Sequence, residues 1–142
     1  MSVQILTVSV TVPQTPVGAW ALFTDPEAIT QWNFASDDWH CPSARVDLVV
    51  GGIHSARMEA KDGSFGFDLT GVYHEVDSPH ALTLVLDDGR TSRTTFLASP
   101  AGTIVETRFE AEAQNPAELQ RQGWQAILDN YGALARRVWA AP

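Results

Sequence analysis

Histidine is the side chain in this sequence best suited to acid–base chemistry, and one of the four histidines falls in a patterned strand. His54, Ala56 and Met58 alternate with Ser55 and Arg57, which predicts a strand with His54 on its inward face. An imidazole there, with its pKa shifted by burial, could act as a general acid or base. No nucleophile or carboxylate has a matching position, so a hydrogen-bonded core histidine is the competing interpretation. His54 is a candidate only, and we assign no catalytic residue.

Two neighbouring pairs of residues resemble fragments of other sites. His40 and Cys41 are adjacent and lack the spacing of paired zinc ligands, and Cys41 is the only cysteine. Asp37 and Asp38 are predicted to turn or cap the chain, because two neighbouring loop carboxylates do not establish an acid–base pair. We predict neither a metal site nor a cofactor.

A long helix is predicted near the end of the chain. Asn115 as cap, Pro116 at the first position and Glu118 at the third form a helix start close to a capping box. Gly123 lies mid-helix on the predicted buried face, where glycine costs about 1 kcal/mol relative to alanine. It either leaves room for a cavity or allows a strand to approach closely. Gln120 on the same face either hydrogen-bonds a ligand or satisfies nearby backbone groups.

Aromatic side chains are concentrated around residues 33–43, which lack periodicity and predict a loop. Trp32, Phe34 and Trp39 could form a lid over a cavity mouth, or they could anchor the loop to the sheet. The pocket walls are predicted to come from the sheet and from the long helix: Met58, Phe67, Trp124, Ile127 and Tyr131.

The elements that must position these residues follow a simple order. Residues 3–12 predict a half-buried strand, and short helices are predicted to begin at Pro16 and Pro26. About six consecutive antiparallel strands follow, with a bend expected near Gly71, and the long helix comes last. The sequence therefore predicts an α+β fold in which a curved antiparallel sheet of about seven strands wraps around a C-terminal helix.

Composition narrows the classes of partner. A chain of 142 residues predicts one domain over residues 1–142, and its net charge of −8 opposes binding to nucleic acid and anionic membranes. The lone Cys41 and the absence of a signal-like N-terminus predict a cytoplasmic protein without an internal disulfide. No apolar run approaches the about 20 residues that span a bilayer, so no membrane insertion is expected. A homodimer is compatible with the sequence.

Three longer segments carry a family resemblance: WNFASDDWHCP at residues 32–42, MEAKDGSFGF at 58–67 and QRQGWQAILDN at 120–130. With the order of elements, they resemble the START-like superfamily, also called SRPBCC, and within it the branch grouped with the C-terminal domain of the heat-shock-90 ATPase activator. The resemblance covers nearly the whole chain. It implies a helix-grip fold with an interior cavity that takes apolar or amphipathic small molecules, and it carries over no catalytic residue.

Three function classes remain open at this point. The leading hypothesis is a module that binds a small apolar or aromatic molecule in the cavity. The second is a cyclase-like or hydrolase-like enzyme on a polyketide-like or aromatic substrate, with His54 as acid or base. The third is a chaperone-activator-like interaction domain, although 142 residues leave no space for the activator's separate N-terminal domain.

Overall fold

Seven strands and three helices are present in the computed structural model, which describes residues 3–139. In chain order they are β1 Ile5–Val12, α1 Pro16–Thr24, α2 Pro26–Trp32, β2 Trp39–Val46, β3 Ile53–Ala60, β4 Gly66–Asp77, β5 Ala81–Leu86, β6 Thr91–Ser99, β7 Gly102–Glu110 and α3 Ala117–Val138.

All seven strands join one antiparallel sheet in the order β1-β7-β6-β5-β4-β3-β2. Strands β2 to β7 pair with their sequence neighbours, and β1 closes the other side by pairing with β7 from Ile5↔Glu110 to Val12↔Thr103. The sheet curls around α3, with α1 and α2 following β1. The α+β helix-grip prediction is confirmed.

The period-2 patterns place the expected side chains inside. Val8 and Val12 of β1 are buried while Thr7 and Ser9 are exposed, and Met58 of β3 is 6% exposed. Alternation of this kind is the signature of a sheet with one buried face. The inward positions of β1 and β3 are therefore largely apolar.

Helix α3 begins one residue later than predicted. Pro116 is the N-cap residue, and no side chain caps the first turn of α3. Asn115 does not act as the cap, because its backbone amide and its side-chain Nδ2 both donate to Glu112 Oε1 at 2.8 Å. Tyr131 and Leu134 of α3 are buried, but Val138 is 52% exposed. The packed face of α3 thus ends before its last turn.

The predicted loop over residues 33–43 is shorter than expected. Strand β2 already begins at Trp39, which pairs with Ala60 of β3. The register shifts between His40 and Ser43, at Pro42, and such an irregularity on an edge strand tolerates proline. This bulge hides the period-2 pattern in the sequence.

An irregularity in β4 lies close to the bend expected near Gly71. The β4–β5 register shifts between Tyr73 and Glu75, two to four residues later. A Cβ at Gly71 would lie 2.7 Å from the carbonyl oxygen of Val85, so glycine there serves close strand approach.

The helices bridge the two edges of the sheet. Helix α3 packs along β1, and α2 contacts both α3 and the opposite edge strand β2. Phe23 and Trp32 meet Tyr131 of α3 with ring centroids 5.4 and 5.3 Å apart. This aromatic cluster fills one end of the space inside the sheet.

Candidate functional site

A cavity of about 330 Å³ remains between the concave face of the sheet and the helices. Its size is at the low end of the about 300–1,000 Å³ typical of small-molecule sites. The sheet contributes Val8, His54, Met58, Phe67, Leu69, Tyr73, Leu82, Leu84, Leu86, Ser92, Thr94 and Thr107. The turn before β6 contributes Arg90, and the helices and their ends contribute Phe23, Thr24, Trp32, Asn33, Trp124, Ile127 and Leu128.

The cavity brings together only part of the predicted site. The predicted residues that line it are Trp32, His54, Met58, Phe67, Trp124 and Ile127. Those outside the lining are Trp39, Gln120, Gly123 and Tyr131.

Gln120 is occupied by the backbone. Its Nε2 donates to the carbonyl oxygens of Glu112 and Asn115 at 3.0 and 2.8 Å, and its Oε1 accepts from the amide of Glu112 at 2.8 Å. This is the backbone-satisfying alternative of the two considered from the sequence. The amide fastens the segment before α3 to the helix.

The two glycines of α3 have opposite surroundings. A Cβ at Gly123 would meet no atom within 4 Å, so the interpretation as a close strand approach is wrong for that position. A Cβ at Gly132 would lie 2.7 Å from Val10 Cγ2 of β1. The close approach of α3 to β1 is therefore at Gly132, the residue after Tyr131. Gly132 was not predicted from the sequence as a contact position.

Tyr131 and the aromatic residues of the predicted lid serve packing in the structure. Tyr131 is fully buried and donates its hydroxyl to the carbonyl of Ala19 at 2.7 Å. Trp32 ends helix α2, is 5% exposed and forms a wall of the cavity. The carbonyl oxygen of Phe34 accepts from Asn130 Nδ2 at 2.6 Å, which ties the loop to α3.

Trp39 belongs to a separate aromatic group on the surface. Its ring centroid lies 5.9 Å from that of Phe65 and 6.0 Å from that of Phe67. Phe65 is 62% exposed and Phe67 42% exposed, and Phe67 also lines the cavity. The group therefore adjoins the cavity through Phe67.

His54 and Tyr73 form a polar pair in the cavity wall. His54 Nδ1 lies 3.0 Å from the Tyr73 hydroxyl oxygen. Burial lowers the pKa of His54 to about 4 and raises the pKa of Tyr73, so both groups are neutral at neutral pH. The neutral pair carries two donor protons and uses one of them internally. One N–H or O–H is left over in either tautomer.

A polar stripe of three side chains begins in the turn before β6 and continues along that strand. It was not predicted from the sequence as part of the site. Arg90, Ser92 and Thr94 occupy alternate positions, and Thr94 Oγ1 lies 2.8 Å from Thr107 Oγ1 of β7. The sequence does contain a pattern that corresponds to this stripe, because Ser92 and Thr94 are two residues apart and so lie on the same face of the strand. Interpreting it required knowing which face of β6 points inward.

The fragments considered for metal binding and acid–base chemistry lie apart from the cavity lining. Cys41 is buried, which raises the pKa of its thiol, and it donates to the carbonyl of Ser43 at 3.4 Å. Asp38 accepts a hydrogen bond from the Ser36 hydroxyl within the turn before β2. Among residues 3–139, no group of three His, Cys, Asp or Glu side chains is placed to hold a metal ion.

Membrane crossing by a helix finds no support in residues 3–139. Helix α3 has 22 residues but is not apolar enough to cross a bilayer, and α1 and α2 are too short.

Comparison with known proteins places this architecture in a family. The family model for Activator of Hsp90 ATPase homolog 1-like protein matches residues 14–136. None of the curated proteins matches the chain.

Several solved structures are similar. An AHSA1-like protein from Aeromonas hydrophila, solved in solution, is 39% identical with a TM-score of 0.88, covering 98% of this chain and 100% of that one. A protein from Cytophaga hutchinsonii is 36% identical with a TM-score of 0.77, covering 92% of this chain and 89% of that one. One from Chromobacterium violaceum, at 20% identity, TM-score 0.82 and coverage of 92% and 96%, shares the fold alone. The chain belongs to the family of Activator of Hsp90 ATPase homolog 1-like proteins.

Proposed function

We propose that this protein binds a small apolar or aromatic molecule in the cavity between the sheet and α3. The observation that carries the proposal is a cavity of about 330 Å³ with walls made mostly of apolar side chains. Burial of apolar ligand surface there contributes roughly 25 cal/mol per Å² before the costs of association are subtracted. Met58, Phe67 and Ile127 are the proposed principal contacts.

The walls are held in place by packing, which favours binding without reorganisation. Trp124 stacks on Phe109 with ring centroids 3.9 Å apart and an interplanar angle of 9°. Trp32 donates its indole N–H to the carbonyl of Leu22 at 3.2 Å. These indoles present fixed apolar faces to the cavity.

Filling the cavity with protein tests this proposal. Ile127→Trp adds bulk to the cavity wall, and Leu119→Trp makes the same kind of change at a site on α3 that is 57% exposed and outside the lining. Isothermal titration calorimetry with 1-decanol should show at least about tenfold weaker binding to Ile127→Trp. Leu119→Trp should bind as the wild type does. Equal binding to both variants, each shown to be folded by circular dichroism, would place the ligand elsewhere.

An enzyme is the second candidate, and its support is the His54–Tyr73 pair inside the cavity. A base with a pKa of about 4 is weak at neutral pH, and within residues 3–139 the cavity lining includes no carboxylate or cysteine side chain. The binding function therefore ranks first. Full turnover of a cyclised or hydrolysed substrate by His54→Ala would remove His54 from any catalytic role.

A protein-interaction role is the third candidate, motivated by the family description and by the exposed rings of Phe65 and Phe67. Such an exposed aromatic group is typical of a contact surface. A heat-shock-90 ATPase rate that does not change on adding this protein would count against it.

A further inference from the structure

The inward face of β6 differs from the rest of the cavity wall. Its neighbour β5 lines the cavity with Leu82, Leu84 and Leu86. On β6 the positions that line the cavity are Ser92 and Thr94, with Arg90 at the end of the preceding turn. The cavity therefore has an apolar wall beside a polar stripe.

Arg90 gives this stripe a charge. Among the described residues that line the cavity, it is the only one ionised at neutral pH, because His54 is neutral and the lining includes no Asp, Glu or Lys. Its Nε donates to Asp88 Oδ2 at 2.7 Å, while its two terminal nitrogens have no hydrogen-bond partner within residues 3–139. Two carboxylates interact with Arg90. Asp88 is 52% exposed, so water screens its charge, and the pKa of Glu112 is lowered by hydrogen bonds from Asn115 and, to a smaller extent, by the charge of Arg90. The free end of the guanidinium can form a two-pronged contact with a carboxylate.

The hydroxyl groups beside Arg90 supply further donors. Ser92 is 7% exposed and lines the cavity, where its hydroxyl can donate to a ligand. Thr94 and Thr107 share one hydrogen bond, so one of their two hydroxyl protons is left over. A ligand that accepts hydrogen bonds satisfies these groups, and a pure hydrocarbon leaves them unsatisfied.

We propose that the cavity selects apolar molecules that carry a carboxylate, with the carboxylate at Arg90 and Ser92 and the apolar body between the β5 leucines and Trp124. The proposal rests on the binding function above and names its ligand class. A protein of net charge −8 repels anions in general, so a bound carboxylate needs a local cation of this kind. Arg90 is that cation.

A pair of ligands with the same chain separates the head group from the tail. Decanoate and 1-decanol are titrated by calorimetry at neutral pH into wild type, Arg90→Met, Arg90→Lys and Arg93→Met. Arg93 is the matched control, because it lies on β6, pairs with Glu75 at 2.9 Å and is 50% exposed outside the lining. Arg90→Lys keeps the charge.

Wild type should bind decanoate more tightly than 1-decanol, and Arg90→Met should weaken decanoate binding about tenfold or more while 1-decanol binding stays. Arg90→Lys should bind decanoate with an affinity between those of wild type and Arg90→Met, because it keeps the charge but loses the two-pronged contact. Arg93→Met should retain all of the affinity. Decanoate binding to wild type should also weaken as salt is raised, which decides the question if Arg90→Met fails to fold.

Equal affinity of wild type for the two ligands, or no effect of Arg90→Met on decanoate, would overturn carboxylate selection and leave the binding function intact. If 1-decanol and decanoate both fail to bind wild type, the binding function fails and the carboxylate inference fails with it.

Discussion

Burial shifts the pKa values of both His54 and Tyr73, which form a hydrogen-bonded pair in the cavity wall. In the β3–β4 register His54 lies opposite Gly71, so Tyr73 is its diagonal neighbour and reaches it across a position without a side chain. The alternation around His54 predicts its inward direction from sequence. Its partner could not be predicted, because the pair depends on the register between two strands.

Stability should fall on mild acidification because of His54. Its pKa is about 4 in the folded protein and near 6.5 in the unfolded chain, so between these pH values the unfolded state binds more protons. The contribution is absent above pH 6.5 and grows to about 3 kcal/mol of destabilisation by pH 4. Urea unfolding of wild type from pH 7 to 4 measures it.

The variant His54→Gln should lose less free energy of unfolding over that pH range, because glutamine does not titrate. His74→Gln is the matched control, since His74 is exposed on β4. Indistinguishable pH slopes for His54→Gln and wild type would show that His54 is not the titrating group.

At the scale of elements, replacing each of the two glycines of α3 by alanine should change the free energy of unfolding in opposite directions. Gly123→Ala meets open space and should stabilise the protein by about 0.5–1 kcal/mol through helix propensity. Gly132→Ala places a methyl 2.7 Å from Val10 Cγ2, and overpacking of this kind costs about 1–3 kcal/mol. Urea denaturation of both variants gives the comparison. Shifts of the same sign would contradict the helix–strand geometry.

Element boundaries show where the sequence was sufficient. The starts of α1 and α2 at Pro16 and Pro26 are confirmed, because proline at the first helical position acts locally. Helix α3 was predicted to begin at Pro116 and begins at Ala117, because Asn115 hydrogen-bonds to Glu112 and does not cap the helix. Residues 39–43 of β2 were predicted as loop, because this part of the strand is defined by its pairing with β3, which no local sequence pattern reports.

At the scale of the whole molecule, the cavity forms because the curled sheet and the helices that join its two edges enclose a space between them. Strands β1 and β2 form the edges of the sheet, and α3 and α2 pack on these edges and on each other. The order of strands was predictable from a run of hairpins, and the curled shape from the family resemblance. The cavity lining was only partly predictable, since Arg90, Ser92 and Thr94 become neighbours of Trp124 only after the sheet wraps around α3.

Methyl NMR gives the most direct test of the binding function. The chain has two methionines, and Met58 lines the cavity at 6% exposure. With the methionine methyls and the Ile127 Cδ1 methyl labelled with carbon-13, the protein is titrated with 1-decanol. Our structure predicts saturable shifts of the Met58 and Ile127 methyls at one ligand per chain, with nuclear Overhauser contacts from both methyls to the ligand chain. Unchanged Met58 and Ile127 signals at saturating ligand would contradict it.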